Sequence, residues 1–306
     1  MKIIVNHDGE YNDVVNSYYY LENYCDNSEE EVLFQGYNTS LDPILRERYK
    51  EYKKRAYLNL ESPCAFCNTT TCAKEQSYFT HVFTICPYTA NFLNKIQDTK
   101  YIPIPFPYNE NNFKNINVNH RKIFDVIYMG TLMDKRHCEL IDVMRNFKYI
   151  HTALFPTFSL YRPTHINIPI EQKWDLLSKS KISVVLNLCP TNPEQIKEIK
   201  KNEGWEQNEA FVGLDTNYFP QFKPRVIESM VTKTLVLCKR DQWNVIEKWF
   251  EPGKHFLYWD DFSDLKRKIK KIINNFEDYK FITENAHEKV KEYEIKKIFK
   301  KIENIK

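Results

Sequence analysis

The sequence predicts an α/β protein with two parallel β-sheets and a helical extension at its C-terminal end. Short runs of β-branched and aromatic residues alternate with segments of helical periodicity. This alternation is interrupted by an Asn-rich stretch at 108–122 and then restarts, and the end of the chain has helical periodicity alone. Strands that alternate with helices form parallel sheets covered on both faces. A length of 306 residues fits about two domains of ordinary size.

The first half of the chain predicts one sheet. Strands are expected at 2–6, 32–35, 55–60 and 81–86. Residues 101–107 (YIPIPFP) are expected to be extended, because their prolines do not fit a helix. Helices are predicted at 12–24 and 43–54, and from Pro87 to about residue 95.

The second half predicts another sheet of the same kind. Strands are expected at 124–128, 149–154, 181–188 and 234–238, and helices at 135–146, 172–178, from Pro224 onwards and in a segment that ends near 251–253. Residues 189–222 form a charged and aromatic excursion, and loops of that length are often functional. We therefore predict domains at 1–110 and 123–275, a linker at 111–122 and a helical extension at 276–306.

Composition and charge narrow the functional class. No run approaches the roughly 18 apolar residues of a membrane span, and the acidic N-terminal segment does not resemble a signal peptide, so a cytoplasmic protein is expected. The net charge of +3 is uneven, since residues 266–306 hold 13 Lys or Arg against 7 Asp or Glu. This basic tail is interpreted as a terminal helix with a solvated face, with contact to an anionic membrane as the alternative.

The eight cysteines divide into two groups. Cys25, Cys138, Cys189 and Cys238 stand among apolar residues and are expected to be small core side chains. Cys64, Cys67 and Cys72 have C-x2-C-x4-C spacing in a polar loop, with His81 and Cys86 downstream. Three thiolates and a fourth ligand could hold a structural zinc ion. Because no second C-x2-C pair completes the pattern, ordinary or redox-labile thiols are the favoured interpretation.

Glycine spacing argues against two large nucleotide-binding classes. The six glycines, at 9, 36, 130, 204, 213 and 253, fit neither G-x-G-x-x-G nor a P-loop. A nicotinamide oxidoreductase is therefore disfavoured.

The most informative segment is residues 223–253. Pro224 is placed at the first position of a helix, flanked by Lys223 and Arg225, and Glu228 follows one turn later on the side away from the apolar residues. Cations at a helix N-terminus suit a phosphate group, and a carboxylate one turn away suits ribose or sugar hydroxyls. A buried strand follows, and the segment ends in Glu251-Pro252-Gly253.

This arrangement of Arg225, Glu228, strand and Glu-Pro-Gly resembles the donor-binding half of GT-B glycosyltransferases of the group-1 or spore-maturation type. An ordinary αβα unit with solvated charges is the alternative. The resemblance implies two Rossmann-like domains that face a cleft, with a nucleotide sugar on the C-terminal domain and the acceptor on the N-terminal domain. It implies a UDP- or GDP-sugar donor and a glycan or lipid-linked acceptor.

The resemblance also assigns a donor site. Gly130 and Thr131 correspond to the turn that meets the diphosphate, with Lys135 and Arg136 after it, and Lys223 and Arg225 would face the same diphosphate. Glu228 would accept hydrogen bonds from ribose. Cations and helix dipoles can stabilise a leaving diphosphate, so no obligatory metal ion is expected. Asp260-Asp261 is interpreted as a helix cap and not as a metal site.

Candidate catalytic bases follow predicted N-terminal strands. His7 and Asp8 come after the first strand and Glu61 comes after the third, although turn and cap roles are equally compatible with His7 and Asp8. Retaining members of the family often carry a second Glu eight residues before the ribose-binding one. Pro220 occupies that position here, so assignment to the retaining group is left open.

Two other functions remain as alternatives. A glycosyltransferase that modifies DNA bases would need a basic cleft in the N-terminal half, which is not visibly basic, so nucleic acid is the less expected partner. A catalytically degenerate scaffold of the same fold is the other alternative. The presence of Gly130, Arg225 and Glu228 favours an active enzyme.

Overall fold

The computed structural model describes residues 2–5, 31–35, 50, 52–59, 79–95, 98–190, 194, 197, 201 and 217–304. Its first sheet has five parallel strands in the order β1-β2-β3-β4-β5. These strands are β1 (Lys2–Val5), β2 (Glu31–Gln35), β3 (Lys54–Asn59), β4 (His81–Thr84) and β5 (Lys100–Pro103).

The second sheet has six parallel strands in the order β13-β12-β9-β6-β7-β8. They are β6 (Phe124–Met129), β7 (Tyr149–Ala153), β8 (His165–Ile166), β9 (Ser180–Val185), β12 (Leu235–Lys239) and β13 (Leu257–Trp259). This is the strand order of a doubly wound sheet. The chain first adds β7 and β8 on one side of β6 and then adds β9, β12 and β13 on the other side, so the order reverses between β6 and β9. Ligands of such sheets bind outside the carboxyl ends of the strands at that point.

The helices follow the strands as the periodicity predicts. They are α1 (Pro87–Leu93), α2 (Lys135–Met144), α3 (Ile170–Ser178), α4 (Pro224–Val231), α5 (Phe262–Asn274), α6 (Lys280–Val290) and α7 (Ile295–Glu303). Asp261 caps α5 by accepting a hydrogen bond from the Asp264 amide, which confirms the predicted cap. Within the described ranges, no helix combines the length and the apolar content needed to cross a membrane.

One hydrophobic core cluster extends across both sheets. It includes Tyr57 and Phe83 of the first sheet, Val226 of α4, and Ile298 and Phe299 of α7. Tyr108 pairs with the chain just before α7, donating to the Tyr293 carbonyl at 3.1 Å and accepting from the Ile295 amide at 2.8 Å. The C-terminal helices therefore pack against the first sheet. The predicted domain boundaries remain a prediction.

Three predicted elements differ in the structure. The predicted strand 181–188 divides into β9 and a short strand, β10 (Leu188–Pro190), that pairs antiparallel with β11 (Tyr218–Pro220). The segment expected to form a helix up to 251–253 forms only a 3₁₀ turn, Val245–Lys248. Lys54, the predicted end of a helix, begins β3 instead. The predicted helix at 12–24 lies outside the described residues.

The described cysteines agree with the core interpretation. Cys138 and Cys238 are buried free thiols, and Cys86 is buried as well. Burial raises the pKa of the Cys238 thiol well above its usual value, so this thiol is protonated near neutral pH. Cys25, Cys64, Cys67 and Cys72 are outside the part of the chain that the structure describes.

Candidate functional site

A turn that requires glycine stands at the carboxyl end of β6. Gly130 has φ +147°, in the region where side chains are rarely tolerated. Its amide donates to the Thr152 carbonyl at 2.9 Å, and its carbonyl accepts from His151 Nε2 at 3.0 Å. Because a carbonyl only accepts, Nε2 carries the proton, and burial lowers the pKa of His151 and favours this neutral form. The two residues of β7 thus fix the turn.

Arg225 lies directly over this turn. A Cβ added at Gly130 would meet the two terminal nitrogens of Arg225 at 2.7 and 2.9 Å. The same guanidinium lies 5.5 Å from the ring centre of Tyr128, which is buried in β6. Only glycine allows this approach, so a planar cation is held beside the backbone of the turn.

The N-terminus of α4 is anchored at the reversal point of the second sheet. Lys223 is the residue before the first turn, and its amide donates to Oδ1 of Asn187 at 3.2 Å. Asn187 follows β9, and its backbone carbonyl accepts from the Gln221 amide at 2.8 Å. Among the described residues no side chain caps α4. The positive end of the helix dipole therefore remains available beside the Gly130 turn.

Glu228 lies one helical turn after Arg225 on the same side of α4. It is 5% exposed, and its Oε1 accepts from Lys173 Nζ at 2.7 Å and from the indole Nε1–H of Trp174 at 3.0 Å. The sequence predicted a carboxylate directed away from the core. Instead, α3 surrounds it with two donors, which offset the cost of burying its charge.

Asp134 organises the other side of the turn. It caps α2, accepting at Oδ1 from the His137 amide at 3.1 Å and from His137 Nδ1 at 2.9 Å. Its Oδ2 accepts from the Tyr218 hydroxyl at 2.5 Å. Burial opposes ionisation of Asp134, but these hydrogen bonds outweigh it and lower the Asp134 pKa. Burial also lowers the pKa of His137, although Asp134 opposes this shift.

The other residues that were predicted to bind the sugar donor differ in their contacts and exposure. Arg136 stacks on the Tyr218 ring at 4.0 Å, and Thr131 is half-buried in the turn. Lys135 is exposed and lies 3.9 Å from Glu139, while the Lys223 ammonium contacts the Gln221 side chain. The structure thus joins Gly130 and Arg225 by contact, whereas Lys135 points to solvent. The candidate bases Glu61, Asp8 and His7 lie outside the described residues.

Several residues of the site were not predicted from the sequence. His137, His151, Lys173 and Trp174 all contact site residues, yet each occupies an ordinary position in its helix or strand. The one available signal was position, since His137 is in the first turn of a helix that follows a glycine turn. No group of three or more His, Cys, Asp or Glu side chains suited to a metal ion occurs in the described part of the chain.

Comparison with known families gives one match. The family described as glycosyl transferase-like matches residues 161–304, a range that contains Glu228, Arg225, Lys173 and Trp174. No curated protein sequence matches the chain.

Solved structures share the fold. TarM from S. aureus aligns with a TM-score of 0.58 at 14% identity, over 94% of this chain and 56% of TarM. HepE from Anabaena in complex with UDP and glucose aligns at 0.59 and 10% identity, over 90% of this chain and 77% of HepE. A glycosyltransferase from Rickettsia africae aligns at 0.56 and 13% identity, over 98% and 88%. The chain has the GT-B fold and spans little more than half the length of TarM.

Proposed function

We propose that the chain is a glycosyltransferase that takes a sugar from a nucleotide-sugar donor, and the match of residues 161–304 to the glycosyl transferase-like family supports this proposal. The observation that carries this proposal is the contact between Arg225 and the Gly130 turn, with Glu228 one turn further along α4. The cation beside the Gly130 backbone and the helix N-terminus suit the diphosphate of such a donor, and the nearby carboxylate suits its ribose.

The diphosphate is assigned to the Gly130 turn. The Arg225 guanidinium can bind two phosphate oxygens at once, and the N-terminus of α4 adds N–H donors and a positive potential. Lys223, Thr131 and Arg136 complete this side, with Lys135 as a more distant solvent-exposed cation. The Tyr218 ring stacks against the Arg136 guanidinium and restricts its position.

The ribose is assigned to Glu228. Both of its hydrogen bonds within the described residues fall on Oε1, so Oε2 is the oxygen assigned to the ribose hydroxyls. Arg225 and Glu228 are three residues apart on one helix, and such residues have Cβ atoms about 5–6 Å apart. This spacing suits a ribose and its attached diphosphate.

The transfer needs one base and one stabilised leaving group. The bond between the anomeric carbon and the diphosphate oxygen breaks, an acceptor hydroxyl oxygen forms a bond to that carbon, and its proton passes to the base. Arg225 and the α4 dipole stabilise the negative charge that develops on the diphosphate, so we expect turnover without a divalent metal. Glu61, Asp8 and His7 remain the candidate bases.

A UDP-sugar is the preferred donor and a GDP-sugar the alternative. The structures of HepE contain UDP or UDP-glucose, and a TarM structure contains UDP and α-GlcNAc-glycerol. We propose a glycan or lipid-linked acceptor and a cytoplasmic location.

The test is nucleotide binding by calorimetry and thermal shift, with UDP, GDP, CMP, ADP and TDP, each with and without EDTA. We expect one nucleotide to bind and its affinity to persist in EDTA. Arg225→Ala should weaken binding about 30-fold, because a charge-assisted pair contributes about 2 kcal/mol. Arg267→Ala is the matched control, since Arg267 is an exposed arginine paired with Asp264 on α5.

Release of free nucleotide from UDP-glucose and GDP-mannose then tests transfer. If no nucleotide binds the wild-type protein, the scaffold interpretation replaces this proposal. If binding occurs but disappears in EDTA, the expectation of a metal-independent site is wrong.

A further inference from the structure

The crossover, which is the segment of chain between β5 and β6 (residues 104–123), contacts the proposed ribose site. Residues Glu110–Phe113 form a 3₁₀ turn in the crossover, and Phe113 is buried at its end. The Phe113 ring stacks on Trp174 with centroids 4.1 Å apart and an interplanar angle of 28°. Trp174 is 2% exposed, and its indole N–H donates to Glu228. A continuous chain of contacts therefore runs from the crossover to the carboxylate.

One of the two carboxylate oxygens of Glu228 is left to accept hydrogen bonds from the ligand. Lys173 and Trp174 both donate to Oε1, and within the described residues no donor reaches Oε2. The flexible Lys173 side chain can follow the carboxylate as it turns. The indole is held by its ring stack and by burial, so it has little freedom to follow. The direction of its N–H therefore determines the plane of the carboxylate.

We propose that Trp174 is a positioning residue that orients Glu228 for the ribose hydroxyls, and that Phe113 transmits the position of the crossover to it. This inference rests on the proposed function. Displacement of the crossover rotates the indole and removes the oriented acceptor. Binding of the ribose hydroxyls by Glu228 therefore depends on the relative position of the two sheets, although neither Trp174 nor Phe113 touches the nucleotide.

Trp174→Phe tests the first step, because it removes the N–H and keeps an aromatic ring. We expect the affinity for UDP to fall about tenfold, the loss typical of a hydrogen bond to a charged group. One of 2′-deoxy-UDP and 3′-deoxy-UDP lacks the hydroxyl that Glu228 binds, and the affinity for that nucleotide should fall less than about threefold. If GDP is the nucleotide that binds, the same series is made with GDP.

The control is Trp249→Phe. Trp249 Nε1 is buried without a hydrogen-bond partner in the described structure, so its removal takes away no bond. We expect each of the three nucleotides to bind this variant with the same affinity as it binds the wild type. Phe113→Leu tests the second step and should reproduce the ribose-selective loss at a smaller size.

The result that overturns the proposal is a Trp174→Phe protein that binds UDP as tightly as the wild type, or that loses the same factor for ribo- and both deoxynucleotides. A uniform loss would indicate a packing role. A wild-type protein that binds no nucleotide would instead overturn the proposed function, and because the wild type is measured first, the two failures are distinct.

Discussion

Gly130 combines two constraints that can be separated by experiment. Its φ of +147° disfavours any side chain, and the Arg225 guanidinium fills the space where a Cβ would lie. Gly253 has only the first constraint, since its φ is +78° and nothing lies within 4 Å of an added Cβ. The two glycines therefore distinguish backbone strain from displacement of the cation.

We predict that Gly130→Ala and Gly253→Ala lose similar stability, about 1–3 kcal/mol each, because both force alanine into an unfavourable backbone conformation. Only Gly130→Ala should weaken nucleotide binding, by about tenfold or more, because Arg225 must move away from the turn. Urea unfolding measures the first effect and calorimetry the second. Equal nucleotide affinities in both variants would contradict the assignment of the diphosphate to this turn.

Regular elements were predictable because their signal is local. The continuous apolar run at 126–129 and the Pro224 start of α4 define a strand and a helix within a few positions. The β10–β11 pair was missed because it joins residues about thirty positions apart with no periodic pattern. The Tyr218–Asp134 hydrogen bond spans 84 positions, and nothing in either local sequence indicates its partner. Long-range side-chain partners of this kind depend on the completed fold.

The basic tail shows how an element's two faces have separate roles. On α7 the apolar side chains Ile295, Ile298, Phe299 and Ile302 are buried in the core cluster that includes the first sheet. Lys54 of β3 donates to the Ile302 carbonyl at 3.3 Å. The exposed lysines remain on the opposite face. The apolar face is therefore occupied by the protein itself, which leaves only the lysine face for contact with an anionic surface.

We predict that Ile298→Ala destabilises the protein by about 2–5 kcal/mol, because it leaves a cavity in the shared core. Lys300→Ala, on the exposed face, should change stability by no more than about 0.5 kcal/mol. Chemical denaturation measures both. If Ile298→Ala left stability unchanged and instead reduced binding to anionic vesicles, the tail would be a membrane element, and the core role of Ile298 would be contradicted.

At the scale of the whole molecule, aromatic contacts join the two sheets. Tyr88 of α1 stacks on Trp243 at 5.3 Å and donates its hydroxyl to the Trp243 carbonyl at 2.8 Å. Phe106 in the crossover lies 6.0 Å from Phe222, just before α4. With the docked tail, these contacts make one shared core. Elements that share a core are expected to unfold together as one cooperative unit, whereas domains with separate cores can unfold independently.

We therefore predict a single unfolding transition that is the same for two probes. The described tryptophans, Trp174, Trp243, Trp249 and Trp259, all follow the first sheet in the chain, so their fluorescence reports the second half of the molecule, while labelling of the buried Cys86 thiol, resolved by mass spectrometry, reports the first sheet. The two urea midpoints should coincide, and a bound nucleotide should raise both equally. Tyr88→Ala removes the stack and should separate the curves, with Cys86 exposed at the lower urea concentration. Separate midpoints in the wild-type protein would show that the sheets fold independently. They would also count against the proposal that the crossover controls ribose binding by Glu228.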